Sequence, residues 1–367
     1  MEKIFTPTQI SQMRYNAERK AQDAFIKRNM SREGLIEAIY RHYIQEIESK
    51  INTFYMNYAS VEGISLKEAK ARASAMDVSA FGNRAKQAVM DRDFTSITNE
   101  WLKVYNLKMK VSREELLKYN VQLDLYNLTK ESEAVMLSGM GEEYRKEIER
   151  QAGILGNSVP DMSERVKALV DADFYGATFS ERIWGNNGKY KSLNAELMKS
   201  IGNIVGQKSD YRKEVKRMRE AFGVSEDDAY RLIRTETRRM NASAQLDSFK
   251  ENEFTHFVYV AEPGACLTCA SLDQTIIPVD EAVGGLNYPT MHPNCRCSTY
   301  GIIKLVYVDT GKSNIEIHEE QYGTYEDAKK DLKDVASGKV KTHEDLRNKS
   351  KDYLDLSYFG YSKDRAR

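Results

Sequence analysis

Apolar residues recur along the first part of the chain at steps of three and four. Ile36, Ile39, Tyr43, Ile47, Ile51, Phe54 and Tyr58 fall on one helical face. No proline lies between Pro7 and Pro160, so the pattern predicts long helices that each bury one stripe. The plain reading of the stripe is the core of a helical domain. The functional reading is a docking helix, with Ile36, Tyr40, Tyr43, Ile47, Phe54 and Tyr55 as candidate docking residues, since aromatics dominate binding energy at interfaces.

The pattern continues with punctuation. Ser65-x-x-Glu68 and Ser112-x-x-Glu115 are capping boxes that open further helices, with a break expected over Asp91 to Thr98. Leu116, Leu117, Val121, Leu125, Leu128 and Met136 form a second stripe, which Gly139 and Gly141 are expected to punctuate. Gly153 to Pro160 reads as a hinge. Asp161-x-x-Glu164 opens a helix, Phe174, Phe179, Ile183 and Trp184 supply an apolar face, and Gly185-Asn186-Asn187-Gly188 is a tight turn. Helices are expected after Ser192, over Asp210 to Phe222, and from a Ser225-x-x-Asp228 cap to about Asn252.

The last of these helices buries Ala229, Leu232, Ile233, Met240 and Ala244, and Glu236 projects into that stripe. A buried carboxylate needs a partner; Arg239 and Arg296 are the candidates, beside Arg234. Phe254 to Val260 and Gly301 to Val308 read as strands of an antiparallel pair. Past Asp309 the pattern is that of a polar tail with short helices near Glu326 to Ala336 and His343 to Lys349. The predicted fold class is mainly α with a small α+β, Cys/His-stapled C-terminal module and an extended helical N-terminal region. The predicted division is 1–156, a helical docking arm, 157–308, with the cysteine module at 262–303, and 309–367, the tail.

Charge and composition narrow the function. The 367 residues carry 55 Lys and Arg against 55 Asp and Glu, a balance that disfavours a protein built mainly to coat nucleic acid. The basic run Arg212, Lys213, Lys216, Arg217, Arg219, Arg231, Arg234, Arg238 and Arg239 is interleaved with acids and reads as a solvated helix face. No apolar run is long enough to cross a membrane and the opening residues lack a signal-peptide pattern, so a cytoplasmic site of synthesis is expected.

All four cysteines lie between Cys266 and Cys297. Cys266-x-x-Cys269 and His292-x-x-Cys295 are two knuckles that could close a tetrahedral zinc site, with Cys297 a fifth donor for four positions. Disulfides and free buried thiols are the alternatives, and a reducing cytoplasm favours metal. No deaminase, H-E-x-x-H or phosphate-loop pattern is present; a Cys/His nucleophilic pair is not excluded by the residues alone.

Arg234-Thr235-Glu236 on a helix, a strand ending near Ala261, Cys266-x-x-Cys269, and Tyr288-Pro289-x-x-His292-Pro293-Asn294-Cys295-Arg296-Cys297 occur in this order. This series resembles the Mu F-like minor head protein family of tailed phages, over about Arg231 to Ile303. The resemblance implies a non-enzymatic head morphogenesis protein, incorporated into the procapsid at low copy, associated with the portal and placed in the head interior. It implies a part in head assembly or DNA delivery, with major capsid or scaffolding protein and packaged DNA as further partners. The other readings are a zinc-stapled DNA-contacting protein and a Cys/His or metal-dependent enzyme.

Overall fold

The computed structural model describes residues 6–58, 113–155, 161–174, 176–205, 208–308 and 310–347. The expected helix openings at Ser65 and Ser112, the break at Asp91 to Thr98 and Gly156 to Pro160 of the hinge lie outside them. Three long helices dominate: α1 (Pro7–Tyr58), α2 (Arg113–Leu155) and α6 (Tyr211–Glu251). Between the last two come α3 (Ser163–Asp171), α4 (Phe179–Trp184) and α5 (Lys189–Val205). The sheet strands are β1 (His256–Val260), β2 (Ile276–Pro278) and β3 (Ser298–Ile302), with the short α7 (Leu267–Ala270) after β1. The helices α8 (Asn314–Tyr322), α9 (Tyr325–Ala336) and α10 (His343–Arg347) complete the described chain.

Packing divides the chain into two units, neither of them a contiguous stretch. Unit 1 comprises residues 1–33, 136–170 and 231–367; unit 2 comprises 34–135 and 171–230. The boundary expected at Gly153 to Pro160 falls within unit 1.

Unit 1 is built on the sheet, whose strand order is β2-β1-β3, all antiparallel. Alternation along β1 sends Phe257 and Tyr259 to one face and Val258 and Val260 to the other. The first face joins a core with Cys269, Cys295, Cys297, Tyr288, Ala328 of α9 and Leu346 of α10. The second packs with Tyr15 of α1, Tyr300, Ile302 and Ile315 of α8. Gly301 is required in β3, because a Cβ there would meet the Phe249 and Phe254 rings at 2.8 Å. The strand expected over Gly301 to Val308 is displaced to Ser298–Ile302, and Ile303, Leu305, Val306 and Val308 are exposed. The polar tail expected after Asp309 is in part a folded segment, with Ile315, His318, Ala328, Val340 and Leu346 buried.

Two expected helix breaks are absent. Gly139 and Gly141 lie inside α2; a Cβ on Gly139 would meet Arg32 at 2.9 Å, so this glycine serves close approach. The helices expected on either side of Ser225 are one continuous α6. The Ser225 hydroxyl lies 2.8 Å from the Tyr40 hydroxyl in place of capping a helix.

The regular elements of unit 2 are all helices among its described residues. Ile36, Tyr40, Tyr43, Ile47 and Ile51 are buried in it, as are Leu117, Val121, Leu125, Leu128, Phe179, Ile183, Leu197, Ile201 and Phe222. Trp184 tilts against Tyr126 and Tyr190. Thr178 and Glu181 cap α4 reciprocally.

Candidate metal centre

The cysteine module hangs between β1 and β3, fixed from below by α6. Thr235 of the Arg234-Thr235-Glu236 triplet accepts the Asn294 backbone N–H at 3.0 Å through its hydroxyl. That hydroxyl donates to the Arg231 carbonyl at 2.7 Å. Asn294 has φ +66°, a left-handed turn residue that asparagine tolerates. The turn closes with the Cys295 N–H donating to the His292 carbonyl at 3.0 Å. On the other side Cys266 precedes α7, and its carbonyl accepts the Ala270 N–H at 2.8 Å. Sequence spacing thus becomes two knuckles facing each other.

The five predicted donors converge. The Cys266, Cys269 and His292 ligand atoms lie within 4.8 Å of one another, and so do those of Cys269, Cys295 and Cys297. His292 Nε2 is 3.3 Å from the sulfurs of both Cys266 and Cys269. The other ring nitrogen, Nδ1, is 2.8 Å from the Pro293 carbonyl and must donate to it. In the neutral ring that a metal would bind, this keeps the proton on Nδ1 and turns the Nε2 lone pair toward the sulfurs, the arrangement of a metal-ligating histidine. Cys269, Cys295 and Cys297 are buried; Cys266 is exposed.

Protons are unequally shared across the cluster. Hydrogen bonding from Cys269, aided by His292, holds the Cys266 thiol down at about 4. Hydrogen bonds from Cys269 and Cys297 hold Cys295 well below the ordinary thiol range. The Cys269 thiol is raised by its bonds to Cys266, Cys295 and Cys297, and Cys297 is raised by burial. His292 rises to about 9 through its bond to Cys266. Thiolates, thiols and an imidazolium so close together are what a soft divalent cation displaces protons from. The donor set fits a metal ion.

The predicted pairing residues have found different partners. Glu236 is wholly buried and accepts from Arg239 Nε at 2.9 Å; Arg239 also donates to the Leu169 carbonyl at 2.7 Å. Arg234 forms a bidentate pair with Glu33 at 2.5 Å. Arg296 is half-buried, and its charge is felt by Glu262, whose carboxyl burial raises to about 7. The basic run on α6 is a solvated face only in part, since Arg238 and Arg239 are buried. Of the candidate docking residues, Ile36, Tyr40, Tyr43 and Ile47 are buried and Phe54 is half-buried. The Tyr55 side chain lies outside the described residues.

Sequence reasoning missed two residues beside the cluster. Arg238 donates to Asn241 at 2.6 Å and to Ser298, next to Cys297, at 2.7 Å, and lies over the Phe25 ring. Its Ser298 partner, together with Gln245, also bonds Glu18, a buried acid of α1. Nothing in the local pattern separates Arg238 from its solvated neighbours. Tyr259 is the other: its hydroxyl is buried among the Cys297, Cys295 and Cys269 sulfurs. Strand alternation with Phe257 and Ala261 was the available signal.

Among the described residues no helix is long and apolar enough to cross a membrane. No curated protein and no solved structure matches the chain. A family model does match: residues 195–300, from within α5 through the module to β3, are similar to the family described as Phage Mu protein F like protein, in support of the resemblance read from the motifs.

Proposed function

We propose that this chain is a phage head morphogenesis protein that enters the procapsid beside the portal, with a structural zinc ion in its cysteine module. The observation that carries the reading is the matched span 195–300, within which Thr235 holds the turn that presents His292 and Cys295. Zinc is favoured by chemistry: borderline-soft, tetrahedral and indifferent to redox state, it suits thiolates with one imidazole. Bound there, it would hold a loop-rich segment onto the sheet and α6. No residue of the chain is given a catalytic role. Delivery of DNA and contact with the packaged genome belong to the same reading as later steps of a portal-bound protein.

Docking on this reading falls to surface residues and not to the buried Ile36 to Ile51 stripe. Met13 and Met30 of α1 are 53% and 46% exposed and offer flexible apolar contact. The test is co-purification of the full chain with its portal and its recovery in procapsids. Wild type should be recovered in both, and Met13→Glu with Met30→Glu should reduce recovery while metal content stays at one ion per chain. A protein absent from heads and unbound by portal refutes the reading. Elemental analysis of reduced, freshly purified protein that finds no stoichiometric zinc refutes its metal part.

A further inference from the structure

The second face of the sheet, opposite the cysteine core, is the floor of a pocket. Val258 of β1, Ile276 of β2, and Tyr300 and Ile302 of β3 make that floor. The first turns of α1, helix α8 and the segment after β3 make the walls, all within unit 1. One wall is held in place by main-chain bonds. The Leu305 N–H donates to Asn314 Oδ1 at 2.8 Å, and the Asn314 N–H donates to the Leu305 carbonyl at 2.9 Å. The cavity has a volume of about 110 Å³. An apolar cavity of about 150 Å³ holds one benzene, so this one admits a branched aliphatic group of about four carbons and excludes a long acyl chain.

One end of the pocket is polar. Ser11 Oγ lies 3.0 Å from His318 Nδ1 and 3.3 Å from the Tyr300 hydroxyl. His318 Nε2 lies 2.7 Å from the Gln274 carbonyl and must donate to it. In the neutral ring that burial favours, Nδ1 therefore accepts the Ser11 proton. The Ser11 hydroxyl is thus committed, but the Tyr300 proton is not. A separation of 3.3 Å is long for an O–H···O bond, which leaves the Tyr300 O–H free to turn to a better acceptor. Arg14 stands one helical turn after Ser11 and also lines the pocket. It has no hydrogen-bond or ion-pair partner among the described residues. It is the one charged residue in the described lining, and no carboxylate lines the pocket beside it.

These features select an occupant. A free guanidinium and an uncommitted phenol, at one end of an aliphatic slot, match a single carboxylate attached to a short apolar group. The mouth points to a larger molecule than a free acid. Ile10 and Leu305 line it at 37% and 55% exposure, and Ile303 and Val306, on either side in the chain, are exposed as well. A small acid would leave that apolar rim bare, whereas the residues preceding a chain terminus would cover it.

We infer that this pocket captures the C-terminal residue of another polypeptide, with a leucine, isoleucine or valine side chain on the sheet floor and the terminal carboxylate between Arg14 and Tyr300. The site is separate from the metal centre and stands with or without an ion there.

The test uses the full-length protein and an array of peptides with free C-termini, randomised at their last positions, beside the same array amidated. Binding should concentrate on peptides ending in leucine, isoleucine or valine and should vanish on amidation. The tightest binder, followed by fluorescence anisotropy, should bind Arg14→Gln about tenfold more weakly, through loss of the charge-assisted bond. Leu305→Glu, which sets a like charge at the mouth, should weaken it by a similar factor. Both positions are exposed, so neither change threatens the fold. N-acetyl-leucine should bind at least about tenfold more weakly than the peptide, because it leaves the rim uncovered. Equal affinity for N-acetyl-leucine would make the occupant a small acid and overturn the polypeptide. Equal binding of the free and amidated arrays, or unchanged affinity in Arg14→Gln, would overturn the seat of the carboxylate. An array without binding, or without preference at the last position, would overturn the site. These outcomes are distinct from zinc content and portal recovery, which test the proposed function.

Discussion

The two units stabilise themselves with different chemistry. Among the described residues of unit 2 the buried positions are mostly aliphatic and aromatic, and charged pairs such as Arg219 with Glu48 and Lys216 with Glu220 lie at the surface, with Asp124, paired with Lys50, buried. In unit 1 charge lies inside. Glu18, Glu143, Glu147, Glu236, Arg238 and Arg239 are all buried, and the module sets the Cys269, Cys295 and Cys297 sulfurs into its apolar core beside Phe257, Leu272 and Tyr288. Apolar packing is non-directional and forgiving. Buried charge and sulfur clusters are directional and fail when one member is lost. The comparison therefore predicts where the molecule is brittle.

The largest expected effect is at Cys269, the sulfur common to both triads. Cys269→Ser should release the metal and cost on the order of 5 kcal/mol or more, because metal binding energy is folding energy for a loop-rich site. Chelator added to wild type should reproduce the loss. Denaturation followed with metal analysis checks this; a variant that keeps both its ion and its stability would erase the contrast between the units.

Legibility in the sequence runs along the same divide. The Ile36 to Ile51 stripe and the Leu117 to Met136 stripe are where periodicity placed them, because burial by one helix face leaves a repeating trace. The gathering of the four cysteines and His292 was legible too, since spacing within a knuckle is local. The rest of unit 1 was not. β2 is three residues long and too short to carry a period. Helix α8 starts from a Ser313–Glu316 capping box within a stretch whose polar composition is that of a tail. Above all, the partners of unit 1 come from remote positions: Gln22 donates to the Val260 carbonyl at 2.9 Å, and Tyr15 to the Asp273 carboxylate at 3.0 Å. A division of the chain into successive segments separates α1 from the sheet it covers, and no local pattern warns of it.

Next in size is a matched pair of substitutions, one in each unit. Glu236→Gln removes the charge facing buried Arg239 and should cost on the order of 3 kcal/mol, as for a broken buried ion pair. Ile47→Ala in unit 2 removes a fully buried side chain and should cost about 3 kcal/mol through lost burial and a cavity. The difference is in repair. Ile47→Val or Ile47→Leu should recover most of that stability, whereas no conservative change at position 236 restores a carboxylate in the same place. If Glu236→Asp is as stable as wild type in urea titration, the buried pair is more forgiving than the contrast allows.

The smallest expected effect is on pH dependence, and it too should come from unit 1. The Asp273 carboxylate accepts the Tyr15 hydroxyl, held in turn by Arg19 at 2.8 Å, and the Ala261 N–H at 2.8 Å. Burial nonetheless dominates and lifts it from the ordinary 3.8 to about 6, against the lowering pull of Arg19. The folded protein therefore binds this proton more tightly than the unfolded chain. The resulting stability is fully present below pH 3.8 and is lost as pH rises through about 6. His318, across the same face, donates to the Gln274 carbonyl and lies 3.0 Å from the Ser11 hydroxyl. Burial lowers its pKa, so its contribution has the opposite sign, present above pH 6.5 and lost on acidification. On the zinc reading, proton competition for the metal ligands also weakens the fold at low pH. Comparing wild type with Asp273→Asn at saturating zinc cancels both of these and leaves the Asp273 part. The wild type should lose about 1–2 kcal/mol relative to the variant between about pH 4 and pH 7, the full rise discounted for partial exposure. Parallel stability curves across that range would mean that Tyr15, Arg19 and the Ala261 N–H fully offset the burial of Asp273.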